Sequence, residues 1–140
     1  MTIEILKKED IVLYKNLIDE CFGDSNPIEY YENNYKDSRA YEIVVAKKEN
    51  EIIGSITFQK IDLFTFGFQP ALMIFNVCVL EKYRGQKIAH DLFNYIVRYA
   101  KNNGYKSISL TCFENARSAH RLYESIGFTR SSSVKYDMNL

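Results

Sequence analysis

Apolar positions recur along this chain at two periods, and the switches between the periods predict most of its elements. Thr2 to Leu6 alternates at period two, a first strand. Asp10 to Phe22 changes to helical spacing, with Tyr14, Leu17, Ile18 and Cys21 on one face and Gly23 as its stop. Ser25-Asn26-Pro27 is a helix start, because a proline at the first helical position lacks only an N–H that would be unpaired there. The helix it opens, to about Lys36, puts Ile28, Tyr31 and Tyr35 together. Tyr41 to Ala46 is apolar and β-branched, Lys48-Glu49-Asn50 turns, and Glu51 to Asp62 returns with Ile52, Ile56 and Phe58 on one face, an antiparallel hairpin. Leu72 to Leu80 is nearly all apolar, as in a central strand covered on both faces. Ile88 to Asn103 is the strongest helix: Ile88, Leu92, Ile96 and Ala100 run beside Ala89, Phe93 and Val97, and Gly104 closes it. Ser107 to Phe113 alternates, with Ile108, Leu110 and Cys112 on one face. Ala116, Ala119, Leu122, Tyr123 and Ile126 form a short stripe ended by Gly127, and Val134 to Leu140 reads as a last strand.

A strand, one helix length and another strand make a βαβ unit, so the strands at Leu72 and Ser107 should be parallel with a right-handed crossover. The class is α/β of the α+β type, antiparallel first and parallel later. At 140 residues, without repeat or linker, the chain suits one domain, 1–140. Lys plus Arg and Asp plus Glu are 18 each, so the net charge is zero and no basic stripe is left over for nucleic acid. Cys21, Cys78 and Cys112 are widely spaced and odd in number and make no metal-ligand pattern; two of them fall in apolar strands, which suits buried, inert thiols in a reducing compartment. The alternating N-terminus lacks the apolar core of a signal peptide, and no apolar run nears the roughly 18 residues of a membrane helix. A cytoplasmic protein without membrane or nucleic-acid partner is expected.

Three features resist a single reading. Asn76 interrupts the apolar strand: it either finds buried hydrogen-bond partners or marks a broken ladder beside a site. Tyr30, Tyr31 and Tyr35 either pack on the sheet with hydroxyls at the rim or wall a substrate site, and Phe75 on the central strand joins the second reading. Phe64, Phe66 and Phe68 surround Gly67 at period two; they cover the core, make a subunit contact such as a homodimer, or rim a substrate site.

The chemistry concentrates where the apolar strand meets the strong helix, at Arg84-Gly85-Gln86-Lys87-Ile88-Ala89. A helix N-terminus presents unpaired N–H groups and partial positive charge, which favour an anion. Gly85 permits close backbone approach, and Arg84 and Lys87 add cationic donors. There is no GxGxxG and no GxxxxGK followed by Ser or Thr. Taken alone, the turn either holds a phosphate or merely caps its helix.

The segment Val79 to Ala89 resembles the acyl-CoA motif of the GCN5-related N-acetyltransferases (GNAT), a strand entering an Arg/Gln-x-x-Gly-x-Gly/Ala turn that opens a helix. Asn115 with Ala119-His120-Arg121-Leu122-Tyr123-Glu124-Ser125-Ile126-Gly127-Phe128 resembles the closing motif, Asn-x-x-Ala-x-x-x-Tyr-x-x-x-Gly-Phe. The resemblance implies a single-domain GNAT-like mixed central sheet flanked by about four helices, with a parallel strand pair splayed around acetyl-CoA. It implies that Val77, Cys78 and Val79 pair with the pantetheine arm and that a strand N–H near Val77 stabilises the oxyanion. The turn Arg84, Gly85, Gln86, Lys87, Ile88 and Ala89 would hold the pyrophosphate, Asn115 would reach the arm from the other side, and Tyr123 would protonate the CoA thiolate, with no metal. The acceptor would be an amine of a small molecule or protein. Three positions depart from the pattern. Lys87 stands where a glycine is usual, Asn115 is one residue further from Ala119, and Met73 occupies the place of a glutamate base found in some members. Glu114, Glu29, Glu32 or a water chain remain for the base. Met73 and Lys87 also motivate the alternative of a non-catalytic acyl-CoA-binding or regulatory module.

Overall fold

The computed structural model describes residues 1–35, 40–62, 67 and 69–140. The Phe64, Phe66 and Phe68 cluster therefore lies outside the described residues. The expected hairpin organises the sheet: β2 (Tyr41–Lys48) and β3 (Glu51–Ile61) pair antiparallel across the Glu49-Asn50 turn. β1 (Thr2–Ile5) adds to β2, and β4 (Ala71–Val79) to the other side of β3, both antiparallel. β5 (Ser107–Ser109) is parallel to β4, giving the order β1-β2-β3-β4-β5 and a mixed five-stranded sheet. The parallel pair flanks α3 (Ile88–Asn102), as the strand–helix–strand pattern requires.

Two further helices precede the hairpin. α1 (Ile11–Phe22) ends on Gly23, as its spacing predicts, after a 3-10 turn at Lys8–Asp10. α2 (Ile28–Asn34) is a seven-residue helix, and Pro27 precedes it in extended geometry rather than sitting inside its first turn. β3 shows why the period-two expectation of one buried face is too simple. Its side chains alternate in direction: Phe58 meets Tyr99 of α3 at 5.0 Å between ring centres, whereas Ser55 and Thr57 lie on the side of Tyr14 of α1. The two helices thus cover opposite faces, and Ile52, Ile53, Ile56 and Phe58 are all essentially inaccessible. With Leu17 of α1 and Leu92, Phe93 and Ile96 of α3 they form the core. Burial pushes the Tyr14 hydroxyl up to about 12, so it remains a neutral donor inside this core.

The strands and helices so far belong to one compact unit, Met1–Leu110; Thr111–Leu140 forms a second, built on α4 (Arg117–Ile126). The strand expected over Ser107 to Phe113 stops at Ser109, which leaves Cys112 outside any strand and partly exposed. The expected strand from Val134 to Leu140 does not form. Its apolar positions Val134, Tyr136 and Met138 are exposed, without the ladder that would give their alternation a buried face. Among the described residues, no helix is long and apolar enough to cross a membrane, and no group of three or more His, Cys, Asp or Glu side chains could hold a metal ion.

Candidate active site

β4 is paired along one edge and only half paired along the other. Its partnership with β5 covers Ala71, Leu72 and Met73 against Ser107, Ile108 and Ser109 and then stops. β4 continues to Val79, so its last six residues have no ladder partner on that edge among the described residues. Asn76 is the pivot. Cys78 pairs with Ser55 and Phe75 with Thr57, so two β4 residues, Asn76 and Val77, face the single β3 residue Ile56. This is a β-bulge with Asn76 at φ +54°, a left-handed conformation that Asn tolerates better than most residues. Asn76 is exposed, so of its two readings the broken ladder is the one observed. Bulges re-aim the side chains beside them. Here Phe75 is left 46% exposed, while Cys78, two residues past the bulge, stays buried with its thiol pushed up to about 12 by burial.

From Val79 the chain enters a 3-10 turn, Glu81–Tyr83, and then the candidate anion turn. Arg84 Nε donates to the Val79 carbonyl at 3.1 Å, tying the turn to the strand end. Gly85 has φ +80°, and a Cβ built there would meet nothing within 4 Å, so backbone conformation rather than space calls for glycine. Lys87, where the resemblance expects the middle glycine, also has positive φ (+63°). The backbone keeps the conformation that glycine would adopt freely, and the lysine pays for it in strain. Arg84 to Lys87 are exposed. α3 begins at Ile88, and the N–H groups of its first turn, including those of Ile88 and Ala89, have no acceptor within the helix.

β3 supplies a residue that pattern reading passed over. Gly54 lies opposite Val79, and a Cβ there would come 3.0 Å from the Cys78 carbonyl oxygen and 3.3 Å from Ile88 Cγ2. The start of α3 can lie against the end of β4 because β3 has no side chain at that point. The signal was available as a lone glycine inside a strand pattern, which marks close backbone approach.

The expected substrate wall separates into parts. The Tyr31 hydroxyl donates to Asp24 Oδ2, and its ring meets Tyr14 edge-on at 6.5 Å and Tyr30 at 5.8 Å. Burial and Asp24 both raise the Tyr31 pKa, so Tyr31 acts as a protonated brace between α1 and α2. Tyr30 is 53% exposed. Met73 carries no carboxylate into the sheet; its sulfur accepts from Ser109 Oγ at 3.4 Å.

In the second unit, Tyr123 lies on α4, half-buried against Phe128. Burial, with the nearby Cys112 thiol, raises its pKa, so it holds its proton at neutral pH. Asn115 lies in the turn before α4, its carbonyl accepting from the Arg117 N–H at 2.9 Å. Glu114, one of the base candidates, pairs with Arg130 at 3.4 Å.

Comparison with known proteins gives this geometry a lineage. Human N-acetyltransferase 8B is 30% identical over 87 residues, 62% of this chain but 38% of that protein, so this chain spans well under half the length of that relative. The ribosomal-protein-alanine N-acetyltransferase of Brucella melitensis biovar Abortus 2308 superposes with a TM-score of 0.85 at 20% identity, over 100% of both chains. AAC(6')-Iy in complex with the bisubstrate analogue CoA-S-monomethyl-acetylneamine superposes with a TM-score of 0.83 at 14% identity, over 99% of this chain and 97% of that one. The model of the acetyltransferase (GNAT) family matches residues 11–128, which takes in the bulged strand, the basic turn and Tyr123. The overall fold is thus shared with these structures, and the chain belongs to the GNAT acetyltransferase family.

Proposed function

We propose that this acetyltransferase moves the acetyl group of acetyl-CoA to an amine of a small molecule or protein, and that residues 1–140 work as one cytoplasmic domain. The observation that carries the reading is the end of β4–β5 pairing at Met73 and Ser109, which leaves a strand edge leading directly into the basic turn. An extended amide-bearing arm satisfies such an edge as an added strand would. Val77, Cys78 and Val79 would hold pantetheine by their backbone. The N–H groups from Gln86 to Ala89, with the Arg84 and Lys87 side chains, would hold the pyrophosphate. Acetyl-CoA supplies an activated acyl carbon on a thiol leaving group.

The chain's own residues would then do three things. A backbone N–H beside the bulge, near Val77, would stabilise the oxyanion as the amine adds. Tyr123 would give its proton to the departing thiolate, a role that a raised pKa suits because the proton is retained until needed. Asn115, carried over from the closing motif, would steady the arm. Phe75 and Tyr30 are the exposed aromatics offered to the acceptor, with Tyr31 bracing the helix that bears Tyr30. No metal enters this scheme. The three free cysteines support a reducing, cytoplasmic setting.

One observation favours a second reading. Met73 places a thioether where some family members have a glutamate base, as a non-catalytic acyl-CoA-binding module would permit. Thermal melting with acetyl-CoA, together with thiol release across an amine panel, separates the two. Stabilisation with thiol release supports catalysis; stabilisation without release across a broad panel supports the binding module. For the enzyme, Tyr123→Phe should lower kcat by about tenfold or more with acetyl-CoA affinity kept. Unchanged turnover would remove Tyr123 from the mechanism.

A further inference from the structure

The unit Thr111–Leu140 holds a contact to which the proposed acetyl transfer gives no role. The turn before α4 runs Phe113-Glu114-Asn115-Ala116, and the helix opens at Arg117. A capping side chain normally ties a helix start to the chain before it, but Ala116 stands at that position and makes no such bond. His120, on the first turn of α4, reaches back instead. Its Nε2 lies 3.0 Å from the carbonyl oxygens of both Phe113 and Glu114. Carbonyl oxygens only accept, so Nε2 carries the proton and shares it between the two. The Cys112 thiol, 3.8 Å from Nδ1 and 3.9 Å from Nε2, lies against the ring and is aligned with neither nitrogen. The next carbonyl, that of Asn115, accepts from the Arg117 N–H at 2.9 Å, and the Phe113 carbonyl also accepts from the Ala116 N–H at 3.0 Å. Consecutive carbonyls of the turn are thereby fixed, those of Phe113 and Glu114 by one imidazole. A second tie, the Glu114–Arg130 pair at 3.4 Å, has both side chains mostly exposed and holds little.

We propose that His120 is a positioning residue for the cofactor: its Nε2–H fixes this turn so that the Asn115 side chain is held in place for the pantetheine arm. The role rests on the acetyl-CoA reading. Asn115 directly follows the two held carbonyls, so their restraint sets its freedom. Without the imidazole the turn keeps only its short-range backbone bonds and an exposed ion pair, while α4 keeps its own ladder and Tyr123 with it. Loss of the staple therefore weakens capture of the cofactor.

Calorimetric titration with acetyl-CoA and histidine nitrogen NMR, both on the full chain, test this. His120→Ala should raise the Kd for acetyl-CoA about tenfold, the cost of ordering a freed turn at the moment of binding. His120→Gln should restore most of the affinity, because a glutamine amide brings an N–H donor about as far from the backbone as Nε2. In an Asn115→Ala background, His120→Ala should add little, since the residue it positions is gone. A merely structural role predicts no rescue by glutamine and additive losses, and either result overturns the proposal. So does equal affinity of His120→Ala and the parent. In the unaltered protein His120 should show the Nε2–H tautomer above neutral pH; an Nδ1–H tautomer overturns the proposal without any variant having to fold. A parent chain that binds no acetyl-CoA overturns the acetyl-CoA reading and this role together, whereas binding that is indifferent to His120 overturns this role alone.

Discussion

Replacing Gly54 by alanine tests whether the approach of β3, β4 and α3 is a structural requirement. The added methyl would lie 3.0 Å from the Cys78 carbonyl oxygen, a backbone atom held in the ladder, and 3.3 Å from both Ile88 Cγ2 and Val79 Cγ2. Overfilling a packed site of this kind costs about 1–3 kcal/mol. Alanine also restricts the unfolded chain, which returns about 0.4–1 kcal/mol. The net loss expected is therefore about 1–2 kcal/mol, or roughly 3–8 °C in Tm for a chain of this size. Urea denaturation reads it directly as a lower midpoint at unchanged slope. A double-mutant cycle locates the cause. Ile88→Ala removes one of the crowded atoms, so Gly54→Ala should cost about 0.5–1 kcal/mol less in that background. Because Ile88 opens α3, Gly54→Ala should also reduce the Tm gain given by acetyl-CoA. A variant as stable as the parent, with no coupling to Ile88, would show that the strands slide apart at little cost and refute the reasoning.

Lys87→Gly should raise stability by about 0.5–1 kcal/mol, since glycine adopts positive φ without the penalty borne by lysine and loses only part of this to chain entropy; a lower Tm would mean that the lysine side chain holds the turn. Asp24 has its pKa held below the ordinary 3.8, first by the Tyr31 hydroxyl and then by the Asn26 N–H. A depressed carboxylate stabilises the fold above its unfolded pKa and loses that contribution as pH falls toward the folded value. Acid unfolding of Asp24→Asn should accordingly show a shallower fall in stability below about pH 4, and an identical acid limb would discount the Asp24–Tyr31 bond. Phe75→Ala should raise KM for the acceptor amine more than it changes acetyl-CoA affinity, as competition binding and steady-state rates would show; equal effects on both would place Phe75 at the cofactor instead.

Much of this architecture is legible in residue order. The hairpin, α1, α3 and the parallel pair follow from periodicity and from the stops at Gly23 and Gly104. What escapes is what depends on a partner. Val134 to Leu140 alternates like a strand, but alternation becomes a strand only where a neighbour supplies a ladder, and β5 shortens to Ser107–Ser109 for the same kind of reason. Among the candidate site residues, the basic turn and Tyr123 are singled out by motif spacing. Backbone dihedrals do not, so the positive φ of Lys87 and Asn76 emerges only in three dimensions. Side-chain pairings between separate segments are equally silent. Nothing in the order of residues places the Tyr31 hydroxyl on Asp24, or Cys112 beside His120 rather than in an inert strand.

The bulge at Asn76 has a bearing on the solution behaviour of the chain. An uncovered strand edge is a template on which another copy's strand can assemble, and long flat edges lead to aggregates. β4 offers such an edge beyond Met73, yet the edge bends at Asn76, where the ladder slips by one residue. A kinked edge matches poorly with a straight neighbour. The irregularity therefore discourages strand-on-strand self-assembly, and deleting Asn76 to straighten the ladder should increase light scattering of the concentrated protein.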